Sequence, residues 1–322
     1  MKRHLPVLCI VGPTATGKSD LGVRIAREVG GEVLSADSMQ VYRSMDIGTA
    51  KITAAEMGGI PHHLLDQVDP DVRFTVADWT KAADTAIHDV VSRGRLPIVV
   101  GGTGLYIKAI AEDLAFAAAK GSTEIRARWQ EFADRHGEDQ LHEELSARDP
   151  ETAARLHPND VRRVIRALEV SELRQQPLSS DYDWSIKDGR YEVVQYGLIS
   201  AREVLYERVN QRVDRMMEVG LLAEVEGLRR RGYERHLASM QAIGYKELYA
   251  HLEGESSLPE AVDQVKQSTR RFVKRQLSWF RRDPRVHWIQ VANKGSITGT
   301  ELESILVTGR QMLAGIRSSR RE

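Results

Sequence analysis

The sequence predicts an α/β protein, a parallel sheet flanked by helices and interrupted by a helical insertion. Three observations carry this. Short apolar runs alternate with helix-period stretches as far as about residue 115. The first apolar run breaks into a glycine-rich turn, "LCIVGPTATGKSDLG" (8–22), and then turns polar. The strand signal vanishes at about 115 and resumes only at 191.

Taken in order, residues 5–11 read as a buried strand and 18–29 as a helix. "GEVLSAD" (31–37) reads as a second strand that ends in an acid. "TVADWTKAADTAIHDVVSRG" (75–94) has helical period, with Thr75 as its cap and Gly94 as its stop. "LPIVV" (96–100) is a third strand, and "GGTGLYIKAI" turns from it into another helix. Four helical stretches follow, "STEIRARWQEFADRHG", "EDQLHEELSARD", "PETAARL" and "PNDVRRVIRALEVSELRQQ". "YEVVQYGLI" (191–199) resumes the sheet, and Ser200 with Glu203 has capping-box spacing for the long helix after it. Helices continue to about 282, "VHWIQV" (286–291) is a last strand and 300–315 a last helix. The expected organisation is a core of 1–115 with 190–322 and an insertion over 116–189. "AFAAAKG" (115–121) is read as a mobile crossing between them.

The chain has 322 residues, enough to bury a sizeable core, and 46 basic residues against 46 acidic ones. A net charge of zero neither demands nor excludes nucleic acid; distribution has to decide. The one cysteine, Cys9, sits in the first apolar run, so no disulfide can form within the chain. No apolar stretch reaches the length of a membrane span, and no signal peptide is visible. A soluble cytoplasmic protein is expected, with a monomer favoured because no apolar stripe is left over. His62 and His63 are adjacent, so their side chains point apart and do not suit one zinc ion.

Gly12, Pro13, Thr14, Ala15, Thr16, Gly17, Lys18 and Ser19 match G-x-x-x-x-G-K-[ST] at every fixed position, with a strand before and a helix after. The fold class is therefore α/β with a P-loop-type parallel sheet. The glycines let backbone N–H groups point inward, the helix adds its positive end, and Lys18 supplies a cation. Ser19 can ligate Mg²⁺ through its hydroxyl. The loop fits a di- or triphosphate and is blind to what is esterified to it. Phosphoryl transfer adds an acid on a separate strand, yet Gly101-Gly102-Thr103-Gly104 follows "LPIVV" with no carboxylate. Asp37 ends the second strand on the edge where the phosphate loop lies. It reads either as a base or metal-water ligand facing the phosphates, or as a turn aspartate.

"GPTATGKS", "SADSMQVYRSMDIGTAK" (35–51), "PHHLLD" (61–66), "GGTGLYIKA" (101–109), "HPNDVRRVIRALEV" (157–170), "QAIGYKEL" (241–248) and "KRQLSWFRR" (274–282) occur in that order. Together they resemble the tRNA dimethylallyltransferase (tRNA isopentenyltransferase) family in its bacterial form, over most of the chain. The resemblance implies transfer of a dimethylallyl group from dimethylallyl diphosphate to N6 of adenine 37, in tRNAs reading codons that start with U. It implies that the phosphate loop holds this allylic diphosphate, which leaves with Mg²⁺ assistance. It gives Asp37 the role of base and sets Thr103 by the same channel; the chemistry of the leaving group adds Lys18 to stabilise its charge, with Thr14 or Thr16 as hydrogen-bond donor to the bridging oxygen. Asp37, Ser38, Met39, Gln40 and Thr103 would grip the extruded adenine.

The same resemblance places Gln241, Gly244, Tyr245 and Lys246 near tRNA, with Arg126 of the insertion. Arg162, Arg163 and Arg166 fall within little more than one helical turn of the insertion, which would clamp the anticodon stem-loop. Arg270, Arg271, Lys274, Arg275, Arg281, Arg282 and Arg285 read as one basic helix, with the cations facing phosphates and Phe272, Trp279 and Phe280 mostly core. Arg212 and Arg215 either reach the diphosphate or pair at the surface with Glu207 or Glu218. Three rivals stand: prenyl transfer to a free adenine nucleotide, a small-molecule or nucleoside kinase using ATP, and a non-catalytic RNA-binding module. The helical insertion and the basic C-terminal helix favour a tRNA acceptor.

Overall fold

In the computed structural model, which describes residues 4–112, 121–175, 177, 189–292 and 297–319, the first apolar run forms strand β1 (Leu5–Val11). Its side chains alternate between two cores: Val7, Cys9 and Val11 enter one, Leu8 and Ile10 the other. A strand covered on both faces has no polar side to show, hence the unbroken apolar run. Five more strands join it: β2 (Gly31–Ala36), β3 (His62–His63), β4 (Leu96–Gly101), β5 (Tyr191–Ile199) and β6 (Val286–Gln290). Their order is β3-β2-β4-β1-β5-β6, and every pairing is parallel.

Helices α1 (Lys18–Val29) and α13 (Gly299–Ser319) cover one face through Leu21, Ile25 and Val29 and through Ile305, Leu306 and Ile316. The opposite core takes α3 (Val76–Ser92), α4 (Gly104–Ala111), α10 (Leu221–Arg230), α11 (Tyr245–Leu252) and α12 (Leu258–Phe280). Each aliphatic side chain buried here contributes about 2 kcal/mol before entropy is charged. Trp79 of α3 is fully buried, stacks on Tyr106 of α4 at 4.3 Å and donates its Nε1–H to the Ser35 carbonyl at 3.1 Å. That one side chain ties α3 and α4 to the end of β2. Because the sheet is parallel, the turns after β1, β2 and β4 all open on its C-terminal edge.

Local signals held where side chain and backbone agree. Thr75 caps α3 in a full capping box with Asp78. Ser200 does not cap its helix, α9 (Arg202–Glu218); Ala201 stands at the cap, and the buried Ser200 Oγ donates to the Val291 carbonyl at 3.1 Å. A buried carbonyl at the end of the sheet outcompetes an exposed helix start for that hydroxyl. Helix α12 ends at Phe280, so Arg281 and Arg282 lie in the following turn and Arg285 beyond it, not on the helix. The four-residue α2 (Ala54–Met57) and the two-residue β3 were too short to show a period.

The chain divides into two compact units, 1–114 with 188–322, and 115–187. The second contains α5 (Thr123–His136), α6 (Glu138–Arg148), α7 (Pro150–Ala153) and α8 (Val161–Arg174) around Trp129, Leu141, Leu145, Val164 and Leu168. The crossing expected over 115–121 lies outside the described residues, apart from Gly121.

Candidate active site

The phosphate loop is braced from within. Gly12 has φ +128°, and a Cβ there would fall 2.5 Å from the Leu198 carbonyl oxygen of β5, so only glycine fits. Ala15 sits at φ +64° and Gly17 at +85°. The Pro13 carbonyl accepts from Thr16 Oγ1 at 2.9 Å and from Lys18 Nζ at 2.6 Å. Burial pulls the Lys18 ammonium down to about 7; the Arg212 guanidinium adds to the fall and Asp37 opposes it. Arg212, on α9, donates to Thr14 Oγ1 at 3.1 Å, and its guanidinium is also lowered by burial, with Asp37, Asp20 and Glu56 opposing. Among the described residues neither cation has a carboxylate within ion-pair distance, so surface pairing of Arg212 with Glu207 or Glu218 is not what the structure holds. Ser19 is exposed at the start of α1.

Asp37 lies directly after β2, and its charge acts on both Lys18 and Arg212. The turn reading of it holds. Oδ1 accepts from the Met39 N–H at 2.8 Å, an Asx turn, while Oδ2 accepts no hydrogen bond among the described residues. Thr103 fixes the same turn: its Oγ1 accepts the Ser38 N–H at 3.0 Å and its N–H donates to the Ala36 carbonyl at 3.1 Å. Asp37, Ser38, Met39 and Gln40 are all half-buried. Gln40 departs from the expectation that it reads a base edge. Its Oε1 accepts from Ser35 Oγ at 2.9 Å, and its Nε2 donates to the Thr49 and Ala50 carbonyls at 3.2 and 3.3 Å.

The long block after Asp37 braces itself. Lys51, almost fully buried, donates to Asp46 (2.5 Å), Asp66 (2.6 Å) and the Tyr42 carbonyl (2.8 Å), which joins "SMDIGTAK" to "PHHLLD". Glu224 of α10 accepts the N–H groups of Asp46, Ile47 and Gly48 at 2.9, 2.8 and 3.2 Å, and the Tyr245 hydroxyl at 2.5 Å. Tyr245 is therefore a correction: it is fully buried, its hydroxyl pKa is pushed far up by burial and then by Glu224, and it offers nothing to a surface-bound tRNA. Gly244 is buried too, and its N–H donates to Glu247 Oε2 at 2.8 Å. Gln241 is exposed, with Nε2 on the Arg235 carbonyl; Lys246 is half-buried, 3.7 Å from Glu247. His62 and His63 take different partners, the Ile60 carbonyl and the Glu32 carboxylate, both at 2.8 Å.

The glycines at the end of β4 and after it are closely met by protein atoms. A Cβ on Gly101 would strike the Ala36 carbonyl oxygen at 2.2 Å, one on Gly102 the Gln276 Nε2 at 2.1 Å, and one on Gly104 the Trp279 ring at 2.1 Å. Gln276 and Trp279 both belong to α12. On that helix Lys274 and Arg275 are exposed, Arg275 lying 5.6 Å from the Phe272 ring centroid, and Arg281 and Arg282 are exposed in the turn after it. None of these four cations has an ion-pair partner among the described residues. Arg285 instead binds Asp283 and Glu112 at 2.7 and 2.8 Å. Sequence reasoning missed Gln276, Glu224 and Lys51. Only Gln276 left a signal: it stands three residues after Val273 and four before Phe280, on the buried face of the helix.

Within the insertion unit the cations are of two kinds. Arg126 and Arg166 both bind the fully buried Glu169, at 2.8 and 2.5 Å, and Arg163 binds Asp160 at 3.0 Å. Burial pushes the Glu169 carboxyl up, but the Arg166 and Arg126 hydrogen bonds outweigh it and hold the group below its usual range. Arg162 is exposed with no such partner among the described residues.

The IPP transferase family model matches residues 40–283. A tRNA dimethylallyltransferase from Desulforudis audaxviator is 48% identical over 300 residues, 93% of this chain and 96% of that one. The crystal structure of the full-length tRNA isopentenylpyrophosphate transferase from Bacillus halodurans superposes with a TM-score of 0.71 at 42% identity, covering 98% of this chain and 99% of that one. A eukaryotic dimethylallyltransferase crystallised while acting on tRNA matches with a TM-score of 0.73 at 29% identity, covering 89% of this chain and 74% of its own.

Proposed function

The chain belongs to the IPP transferase family, and from that premise we propose how its residues perform prenyl transfer to tRNA. The donor is dimethylallyl diphosphate and the acceptor is N6 of adenine 37, in tRNAs that read codons starting with U. One observation carries this reading. The glycine-rich loop after β1 and Asp37 just after β2 open on one sheet edge, and two cations without carboxylate partners among the described residues, Lys18 and Arg212, feel the charge of Asp37.

The allylic C–O bond breaks with its electron pair going to the bridging oxygen of the diphosphate. Inward N–H groups of the loop, Lys18 and Arg212 stabilise the charge that develops there, and Thr14 holds a diphosphate oxygen. N6 of adenine attacks the allylic carbon with a lone pair otherwise delocalised into the ring. As the C–N bond forms the N6–H becomes acidic, and the free Oδ2 of Asp37 takes the proton. The Asx turn and Thr103 hold that oxygen in one orientation. The adenine must leave its stack to reach the crevice, at a cost of a few kcal/mol.

Mg²⁺ is held by few protein oxygens together with substrate phosphates, and the exposed Ser19 hydroxyl directly after the phosphate loop is such an oxygen. Ser19 would hold it. When bound, the ion neutralises charge on the departing diphosphate. The exposed cations Arg162, Lys274, Arg275, Arg281 and Arg282 would contact the phosphates of the anticodon stem-loop. No helix among the described residues is long and apolar enough to cross a membrane. An enzyme acting on tRNA would work in the cytoplasm, here as a monomer.

The test is incubation with Mg²⁺, dimethylallyl diphosphate labelled in the dimethylallyl group, and either unmodified tRNA or AMP. The label is expected in tRNA at a single adenine. Label in AMP alone, or ATP turnover with a small alcohol and no prenylation, would overturn the reading.

A further inference from the structure

Gln276 has no part in the chemistry above, yet it joins the two loops that frame the site. It lies on α12 and is only 5% exposed. Its Oε1 accepts the Thr14 N–H of the phosphate loop at 3.0 Å, and its Nε2 donates to the Gly102 carbonyl after β4 at 3.0 Å. The two partners fix the amide in one orientation, since an N–H must meet oxygen and a carbonyl must meet NH₂. Gly102 has no room for a side chain because the Nε2 occupies the place of its Cβ. Thr14 is thus gripped from two helices, on its N–H by Gln276 of α12 and on its hydroxyl by Arg212 of α9. Val273 and Leu277 of α12 pack with Leu205 and Val209 of α9 and with Ala15, the loop residue at φ +64°. A left-handed alanine costs about 1 kcal/mol and persists only where its surroundings hold it.

We propose that Gln276 is a positioning residue for the diphosphate: through Thr14 and Gly102 it sets the phosphate loop in its anion-holding form. The inference rests on the diphosphate reading of that loop. It also gives α12 two distinct duties. Lys274 and Arg275 face solvent, while the next residue inward sets the grip on the donor. The stretch 274–280 is then one helical segment that serves RNA on one side and the phosphate loop on the other.

The test compares Gln276→Leu and Gln276→Glu with the parent full-length chain, using inorganic pyrophosphate as the probe and tRNA affinity as the control. Gln276→Leu keeps the volume and loses both hydrogen bonds. It is expected to weaken pyrophosphate binding at least tenfold, leaving tRNA affinity within twofold. Gln276→Glu should be equally weak at pH 8, where a carboxylate cannot donate to Gly102 and repels the ligand. Relative to the parent at each pH, it should recover as the pH falls and the carboxyl protonates, because a neutral carboxyl both accepts and donates; Gln276→Leu should show no recovery.

A purely packing role would leave the two variants parallel at every pH. Gly102→Ala should reproduce the deficit, and combining it with Gln276→Leu should add little. Pyrophosphate affinity within twofold of the parent in Gln276→Leu, or no relative recovery of Gln276→Glu at low pH, overturns the proposal. Should Gln276→Leu fail to fold, the pH series of Gln276→Glu decides alone. A parent chain that binds no pyrophosphate would instead sink the reading of the loop itself.

Discussion

The cations of the phosphate loop and those of the insertion unit are similar in kind and opposite in circumstance. Among the described residues half-buried Lys18 and Arg212 bond only a carbonyl and a hydroxyl, and burial lowers both pKa values. Arg126 and Arg166 share the carboxylate of Glu169, whose own pKa falls in consequence. A half-buried cation balanced by its own chain stabilises the fold. One left unbalanced destabilises it and persists where an anion will arrive. Positive charge in the sequence therefore says little about function until its partner is known.

The comparison is sharpest at Lys18. Lys18→Met should lower turnover by about 10²- to 10³-fold, the usual cost of removing a group that stabilises a leaving anion. The melting temperature should stay level or rise at pH 7, because a half-buried cation without a carboxylate partner among the described residues has been removed. Turnover assays beside calorimetry check both, and a variant that melts lower while turning over normally would break the comparison. Arg212→Gln should cost about 10²-fold in turnover with the fold intact.

Glu169→Gln should do the reverse, lowering the stability of the insertion by about 2 kcal/mol as two arginines lose their shared carboxylate. Its folded pKa lies below the unfolded value, so this stabilisation is complete above the usual glutamate range and is lost as pH falls through the lower folded pKa. The gap between parent and variant should thus shrink in acid, as denaturant melts at several pH values would reveal. Smallest is Arg162→Ala, exposed and without an ion-pair partner among the described residues. It should leave stability unchanged, weaken tRNA binding severalfold and reduce the salt slope by about one.

Lys18 supplies one more contrast, in protons. Its pKa of about 7 in the free loop must rise when a diphosphate binds, so binding at pH 8 should take up a proton that Lys18→Met does not. Calorimetry in buffers of different ionisation enthalpy measures the difference. Equal uptake by parent and variant would show that this ammonium is not the group responding to the anion.

What was legible in the sequence follows the range of the interactions. The loop from Gly12 to Ser19 and the strand endings at Asp37 and Gly101 were readable because period and glycine spacing act over a few residues. Thr75 and Asp78 were readable as a cap for the same reason. Ser200 misled because its hydroxyl bonds a carbonyl on a neighbouring segment 91 positions away. Tyr245 misled more deeply. Its motif pointed to tRNA, but its hydroxyl meets Glu224, which in turn holds the backbone of residues 46–48. The partners of Gln276, 262 and 174 positions distant, could be found only once the chain was folded.

The central claim is that the phosphate loop anchors a leaving diphosphate while the free oxygen of Asp37 receives the N6 proton. Single-turnover transfer from dimethylallyl diphosphate to unmodified tRNA, measured for Asp37→Asn beside its pyrophosphate affinity, tests it most directly. We expect transfer to fall at least about 10²-fold with affinity held within about threefold, since Asn keeps the turn but cannot accept the proton. Transfer at the parent rate, or loss of pyrophosphate binding in step with activity, would contradict it.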